Sequence, residues 1–133
     1  MDGLKTQASA FGPKETMDRF EGAVRAKGMT AFARIDHAAG AAQVGLPLRP
    51  TELLIFGAAR TGTPLMQAHQ TMGIDLPLKA LVWQDESGRT WLSYNEPQWI
   101  VSRFGEDAAA KPIASQMALV LDAVAKAATQ ADK

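Results

Sequence analysis

The chain of 133 residues contains no cysteine. That absence removes disulfides, thiolate metal ligands and cysteine nucleophiles together. It leaves the compartment open, because a cysteine-free chain suits reducing and oxidising surroundings alike. Net charge is missing too, with 14 Lys plus Arg against 14 Asp plus Glu. The basic footprint of a nucleic-acid binder is therefore not present, nor is a global field to steer a charged partner. No apolar run approaches the roughly 18 residues needed to span a bilayer. The opening MDGLKTQASA lacks the basic and apolar regions of a signal peptide. As written the chain reads as cytoplasmic, and as periplasmic or secreted if a signal has been removed. Histidine is scarce, with only two residues, His37 and His69.

What is present suits a single domain over residues 1–133. Apolar residues make up 47% of the chain and charged residues 21%, enough to bury a core without staples. Residues 4–11 suit an edge strand. Gly12-Pro13 then opens a helix over 13–27, because proline at a first helical position forgoes an N–H that has no partner anyway. Met17, Phe20, Ala23 and Val24 give it an apolar face, and Lys27-Gly28 supplies a stop. MTAFARI (29–35) reads as a strand, and Asp36 can cap a short helix through HAAGAAQVG. LPLRP (46–50) is an extended connection. TELLIFG (51–57) is apolar on both faces, which predicts a strand covered on each side, or nearly so. Thr63-Pro64 opens a predicted helix ending at Gly73, with Thr63 as its cap and His69 along it. PLKALVWQ and RTWLSYN, joined by the turn residues DESG, form a hairpin. Asn95 caps a short helix that Gly105 ends. Residues 111–130 carry the clearest helical stripe, through Ile113, Met117, Val120, Leu121 and Val124. The hairpin breaks a regular strand–helix alternation, so the pattern favours an α+β fold with an antiparallel sheet and helices on one face.

Few residues carry a chemical signal. GAARTGT (57–63) has the G-x-x-x-x-G spacing of a phosphate loop, but Thr63 stands where a lysine must reach the phosphates, and Pro64 removes an N–H. Arg60, Thr61 and Thr63 remain candidates for holding a small anion at a helix start. Met66, His69 and Met72 at helical spacing, with Asp36 and His37, are the candidate set for a soft metal or a small enzyme site. The opposing reading makes the methionines core filler and the histidines surface donors. Asp36 and His37 are sequence neighbours, which alone does not make a catalytic dyad. Glu52 faces an apolar strand, where burial would shift its pKa. Asp75 has a turn-forming role available. No catalytic residue, metal or cofactor is assigned on these grounds.

The aromatics offer another reading. Strict alternation puts Trp83 and Trp91 on the sheet face opposite Leu78, Ala80 and Val82. With Trp99 they are candidate interface residues. If the helices leave that face bare, it suits a hydrophobic ligand or a second copy of the chain. The alternative is that the C-terminal helix covers it, since alternation fixes the face but not its cover.

RIDHAAGA, LPLRPTELLIFG, GTPLMQA, GIDLPLKALVW and WLSYNEP occur in order, and together they resemble domain of unknown function 302. The likeness spans about residues 4–105, leaving the helix at about 111–130 beyond it. It implies a two-layer α+β domain with a curved antiparallel sheet, helices mainly on one face, similar in layout to one repeat of the TATA-binding-protein saddle. It also implies homodimers, and export signals in many members. The layout carries no implication of DNA binding. Two departures matter. Leu76-Pro77-Leu78 stands where many members have Pro-Cys-Asn, so no role of that cysteine applies. Ala58-Ala59 replaces a frequent Asn-Pro. The function expected is a non-enzymatic binding or interaction module acting as a homodimer, with a small hydrophobic or anionic ligand. The alternative is the metal-binding protein or enzyme built on Asp36, His37 and His69.

Overall fold

In the computed structural model, residues 1–105 and 107–131 are described. Five strands, β1 (Leu4–Ala8), β2 (Thr30–Asp36), β3 (Thr51–Gly57), β4 (Leu78–Gln84) and β5 (Thr90–Asn95), form one sheet in the order β1-β5-β4-β3-β2. Every neighbouring pair is antiparallel. Strands β2 to β5 form a meander. Helix α1 (Pro13–Ala26) crosses from the β1 edge to the β2 edge.

The period-two pattern sorts the side chains. Leu54, Phe56, Leu78, Ala80, Val82, Leu92 and Tyr94 point one way and are buried. Phe20 of α1 meets Phe56 edge to face, with ring centroids 5.3 Å apart. Helix α5 (Ala110–Thr129) buries Met117, Leu121 and Val124 in this same core. Two contacts fix the face it covers. Gln7 of β1 donates to the Thr129 hydroxyl at 2.9 Å, and Lys5 donates to Asp122 at 3.3 Å. Both come from the core side of the edge strand. The C-terminal helix therefore lies beside α1 on the core face and does not cover the second sheet face.

Start and stop chemistry behaves largely as the composition predicts. Asp36 accepts from the Ala39 amide at 2.9 Å and caps α2 (His37–Gln43). Asp85 accepts from the Ser87 and Arg89 amides, which closes the β4–β5 turn around Gly88 at φ +88°. The Trp91 indole also donates to Asp85, at 2.8 Å. That bond is the main reason the Asp85 carboxyl sits well below the usual carboxylate range.

Three boundaries differ from the sequence expectation. Helix α3 runs Ala59–Ala68, so it starts four residues before Thr63 and contains Pro64. Its N-cap is Ala58, with no side-chain cap, so Thr63 caps nothing. Ala59 and Arg60 are strong helix formers, and burial of Leu65 offsets the hydrogen bond Pro64 cannot make. The helix also ends early. His69 is extended (φ −142°, ψ 94°) and separates α3 from a 3-10 turn at Gln70–Ile74. Met66, His69 and Met72 therefore share no helix face. Finally, Asn95 ends β5 opposite Leu4, and Glu96 is the N-cap of α4 (Pro97–Ser102).

Candidate functional site

A hollow lies where five segments converge at one end of the sheet. They are the end of α1 with its following turn, the start of β2, the first turns of α3, the stretch Leu76–Leu78, and the middle of α5. The cleft holds about 500 Å³, a volume typical of small-molecule sites. Its walls are Met29, Phe32, Met66, Leu76, Pro77, Leu78, Met117, Val120 and Leu121, with the small residues Gly57, Ala58, Ala59 and Gly62 between them. Lys27, Thr61, Thr63 and Gln116 supply the polar atoms. Lys27 is the one ionisable group among the lining residues, and none of them is a carboxylate.

Local rules explain how each wall is placed. Gly28 at φ +82° ends α1 in the left-handed conformation and turns Met29 inward. A register shift in β2 between Ala31 and Ala33 releases Phe32 from the ladder. Phe32 is 56% exposed at the edge of the sheet and also lines the cleft. Gly62 leaves room on the inner side of α3. A Cβ there would sit 3.8 Å from Leu76 Cδ1 and Met66 Cε, which is ordinary contact. Three methionines, 29, 66 and 117, meet in the walls. Their flexible thioethers suit surfaces that accept varied apolar shapes.

The sequence candidates divide around this cleft. Thr61 and Thr63 line it, while Arg60 is exposed and does not. Asp36 and His37 lie at the far end of β2, four and five residues beyond Phe32, roughly 13 Å or more along the strand. His69 belongs to the excursion that leaves the sheet at Gly57 and returns at Leu78, so the two histidines attach to opposite ends of β3. The structure does not bring Asp36, His37 and His69 together. Among the described residues, no group of three His, Cys, Asp or Glu side chains is arranged to hold a metal. His69 instead meets Asp107, with Nε2 3.4 Å from the carboxylate, a partner that sequence reasoning did not supply. Asp75 pairs with Arg103, and Glu52 with Arg34.

The second sheet face carries the other candidates. Trp83 and Trp91 stack, with centroids 6.1 Å apart and rings inclined 26°. The Trp83 indole donates to Ser93 at 2.9 Å, and Arg89 lies over Trp91. Leu53, Ile55 and Leu81 extend this platform towards the exposed edge strand β2. Trp99 is elsewhere, packed on Gly3 at the start of β1.

The cleft residues that sequence reasoning missed include Lys27, Phe32, Leu76 and Gln116. Met117, Val120 and Leu121 were visible as an apolar stripe, but a stripe does not reveal that part of it faces a hollow.

Known proteins share this architecture. The sequence profile of the family described as Domain of unknown function DUF302 matches residues 5–128. The crystal structure of an uncharacterized conserved DUF302 protein from Bacillus stearothermophilus superposes with a TM-score of 0.86 at 22% identity. The match covers 96% of this chain and 99% of that one. At that identity the likeness is one of fold. A protein of Brucella suis biovar 1 named fluoride-specific ion channel FluC 1 is 48% identical over 101 residues, which is 76% of this chain but 40% of the relative. Its Brucella abortus namesake is 48% identical over 101 residues and matched over 37% of its length. The chain thus spans about two fifths of the curated relatives it matches.

Proposed function

The chain belongs to the DUF302 family, and on that footing we propose that it is a non-enzymatic binding domain whose ligand occupies the apolar cleft. One observation carries this reading. A hollow of about 500 Å³ is walled by apolar and methionine side chains, with a few polar atoms. Burying an apolar ligand there gains about 25 cal/mol for each Å² removed from water. Gly62→Leu provides the test, because its Cβ meets only ordinary contacts at 3.8 Å, its branch adds bulk at the cleft wall, and leucine is a better helix former than glycine. The wild type is expected to bind the uncharged fluorescent probe N-phenyl-1-naphthylamine. The variant is expected to lose at least tenfold in affinity while its unfolding midpoint stays level or rises. Equal binding by both proteins removes the reading.

A second reading rests on a different surface. The stacked Trp83–Trp91 pair, the apolar row beside it and the exposed β2 edge with Phe32 and Ile35 favour a homodimer through the second sheet face. Sedimentation of the wild type and Trp83→Lys tests it. A dimer that dissociates in the variant supports it, and a wild-type monomer at 100 micromolar ends it. We further infer that the ion conduction named for the Brucella relatives belongs to the larger part of those chains that is not matched here. No helix among the described residues is long and apolar enough to cross a membrane. In such proteins this domain would be an attached binding module.

A further inference from the structure

We propose that the cleft ligand is a free anionic single-chain amphiphile, such as a medium-chain fatty-acid carboxylate, with its head at Lys27. The inference rests on the cleft-binding reading above and deepens it. Charge complementarity is the first argument. Lys27 lines the cleft with no carboxylate beside it in the walls, and it makes no ion pair among the described residues. Most neighbouring basic groups on α1 and β2 are engaged, Arg25 with Glu21, and Arg34 with Asp18, Glu21 and Glu52. Lys27 is exposed at the cleft rim, and its flexible stem can bring an unpaired ammonium to an anion whose tail lies along the apolar wall.

The backbone does not cancel this preference. The carbonyl end of α1 and the amide end of α3 both reach the cleft. Their partial charges are about half a unit each and opposite in sign. To first order they offset, and the full charge of Lys27 remains. Thr61, Thr63 and Gln116 can add hydrogen bonds to a carboxylate. Size is the second argument. Taking the roughly 30 Å³ share of a liquid water as the size of one small group, a hollow of about 500 Å³ accommodates about sixteen groups, enough for one medium-length chain with its head and too few for the paired chains of a membrane phospholipid.

The experiment compares decanoate, decanol and decylammonium on the wild type and Lys27→Gln by titration calorimetry below their micelle thresholds. The wild type is expected to bind decanoate at least fivefold more tightly than decanol, and decylammonium most weakly. Lys27→Gln is expected to erase the decanoate preference while leaving decanol affinity unchanged. Equal affinities for decanoate and decanol in the wild type overturn the anionic head but leave the cleft reading standing. A variant that weakens both ligands alike overturns the role of Lys27. Binding of none of the three overturns both readings.

Discussion

Gly3 shows how a single position can be fixed by two independent constraints. Its φ of +79° lies in the left-handed region, and an added Cβ would fall 2.2 Å from the Trp99 ring. Glu96 donates its amide to the Gly3 carbonyl at 2.7 Å, so neither backbone nor ring can move alone. Gly3→Ala is expected to lower stability by about 1–2 kcal/mol from backbone strain alone, with more from displacing Trp99. Urea unfolding measures it, and a change under 0.5 kcal/mol contradicts the account. The two remaining tryptophans are held by different means. Asp85 anchors the Trp91 indole, and Ser93 accepts from Trp83 while sharing a 2.8 Å hydrogen bond with Thr6. Their N–H groups are satisfied within the sheet, which leaves ring surface rather than polar atoms for any partner.

Among the elements, β2 depends most on charge. It is an edge strand whose residues are mostly exposed. Arg34 ties it to its neighbours, donating to Glu52 of β3 at 2.8 Å and contacting Asp18 and Glu21 of α1 at 2.9 and 3.3 Å. Lys14 first and Arg34 second hold the Asp18 carboxyl below its ordinary range, and Arg25 and then Arg34 do so for Glu21. Hydrogen bonding to Glu52 raises Arg34, which stays charged throughout. A carboxyl with a lowered folded pKa adds stability that is complete above its unfolded value and fades as pH falls through the folded one. The wild type is therefore expected to lose stability as pH drops below about 4. Arg34→Met is expected to cost about 1 kcal/mol at neutral pH, since these pairs are largely solvated, and to flatten the acid limb. Thermal melts between pH 2.5 and 7 decide it, and an unchanged acid limb contradicts the network's role.

Element boundaries also show what the chain made legible. The hairpin was readable because DESG and the alternation on both strands agree with each other. The α1 and α5 stripes were readable because each buries a continuous face. For α3 the helix was readable but its bounds were not, since Thr63-Pro64 signals a start whereas Ala59 and Arg60 begin the helix four residues earlier. His69 was misplaced because the helix ends at Ala68 and not at Gly73, and with it went the helical spacing that made a metal site conceivable. The cleft as a hollow escaped, although Thr61 and Thr63 in its lining were already candidates. Its walls come from five segments between Lys27 and Leu121, and no local pattern announces that they meet.

At the scale of the whole molecule, the two proposed functions use two surfaces, the cleft and the open sheet face. All the large helices pack on one face of the sheet, so the other keeps its tryptophan pair and apolar row available. The cleft lies at the sheet's end, where connections rather than strands form the walls. Phe32 stands at the exposed edge of the sheet and in the cleft wall. The six methionines give the most direct measurement of where a ligand sits. Met29, Met66 and Met117 line the cleft, while Met17 and Met72 are fully buried in the core and Met1 is fully exposed. Methyl NMR of methionine-labelled protein titrated with decanol is expected to shift the signals of Met29, Met66 and Met117 together and to leave those of Met1, Met17 and Met72 in place. Shifts confined to the indole N–H signals of Trp83 and Trp91, or no shifts at all, would contradict a binding function for the cleft.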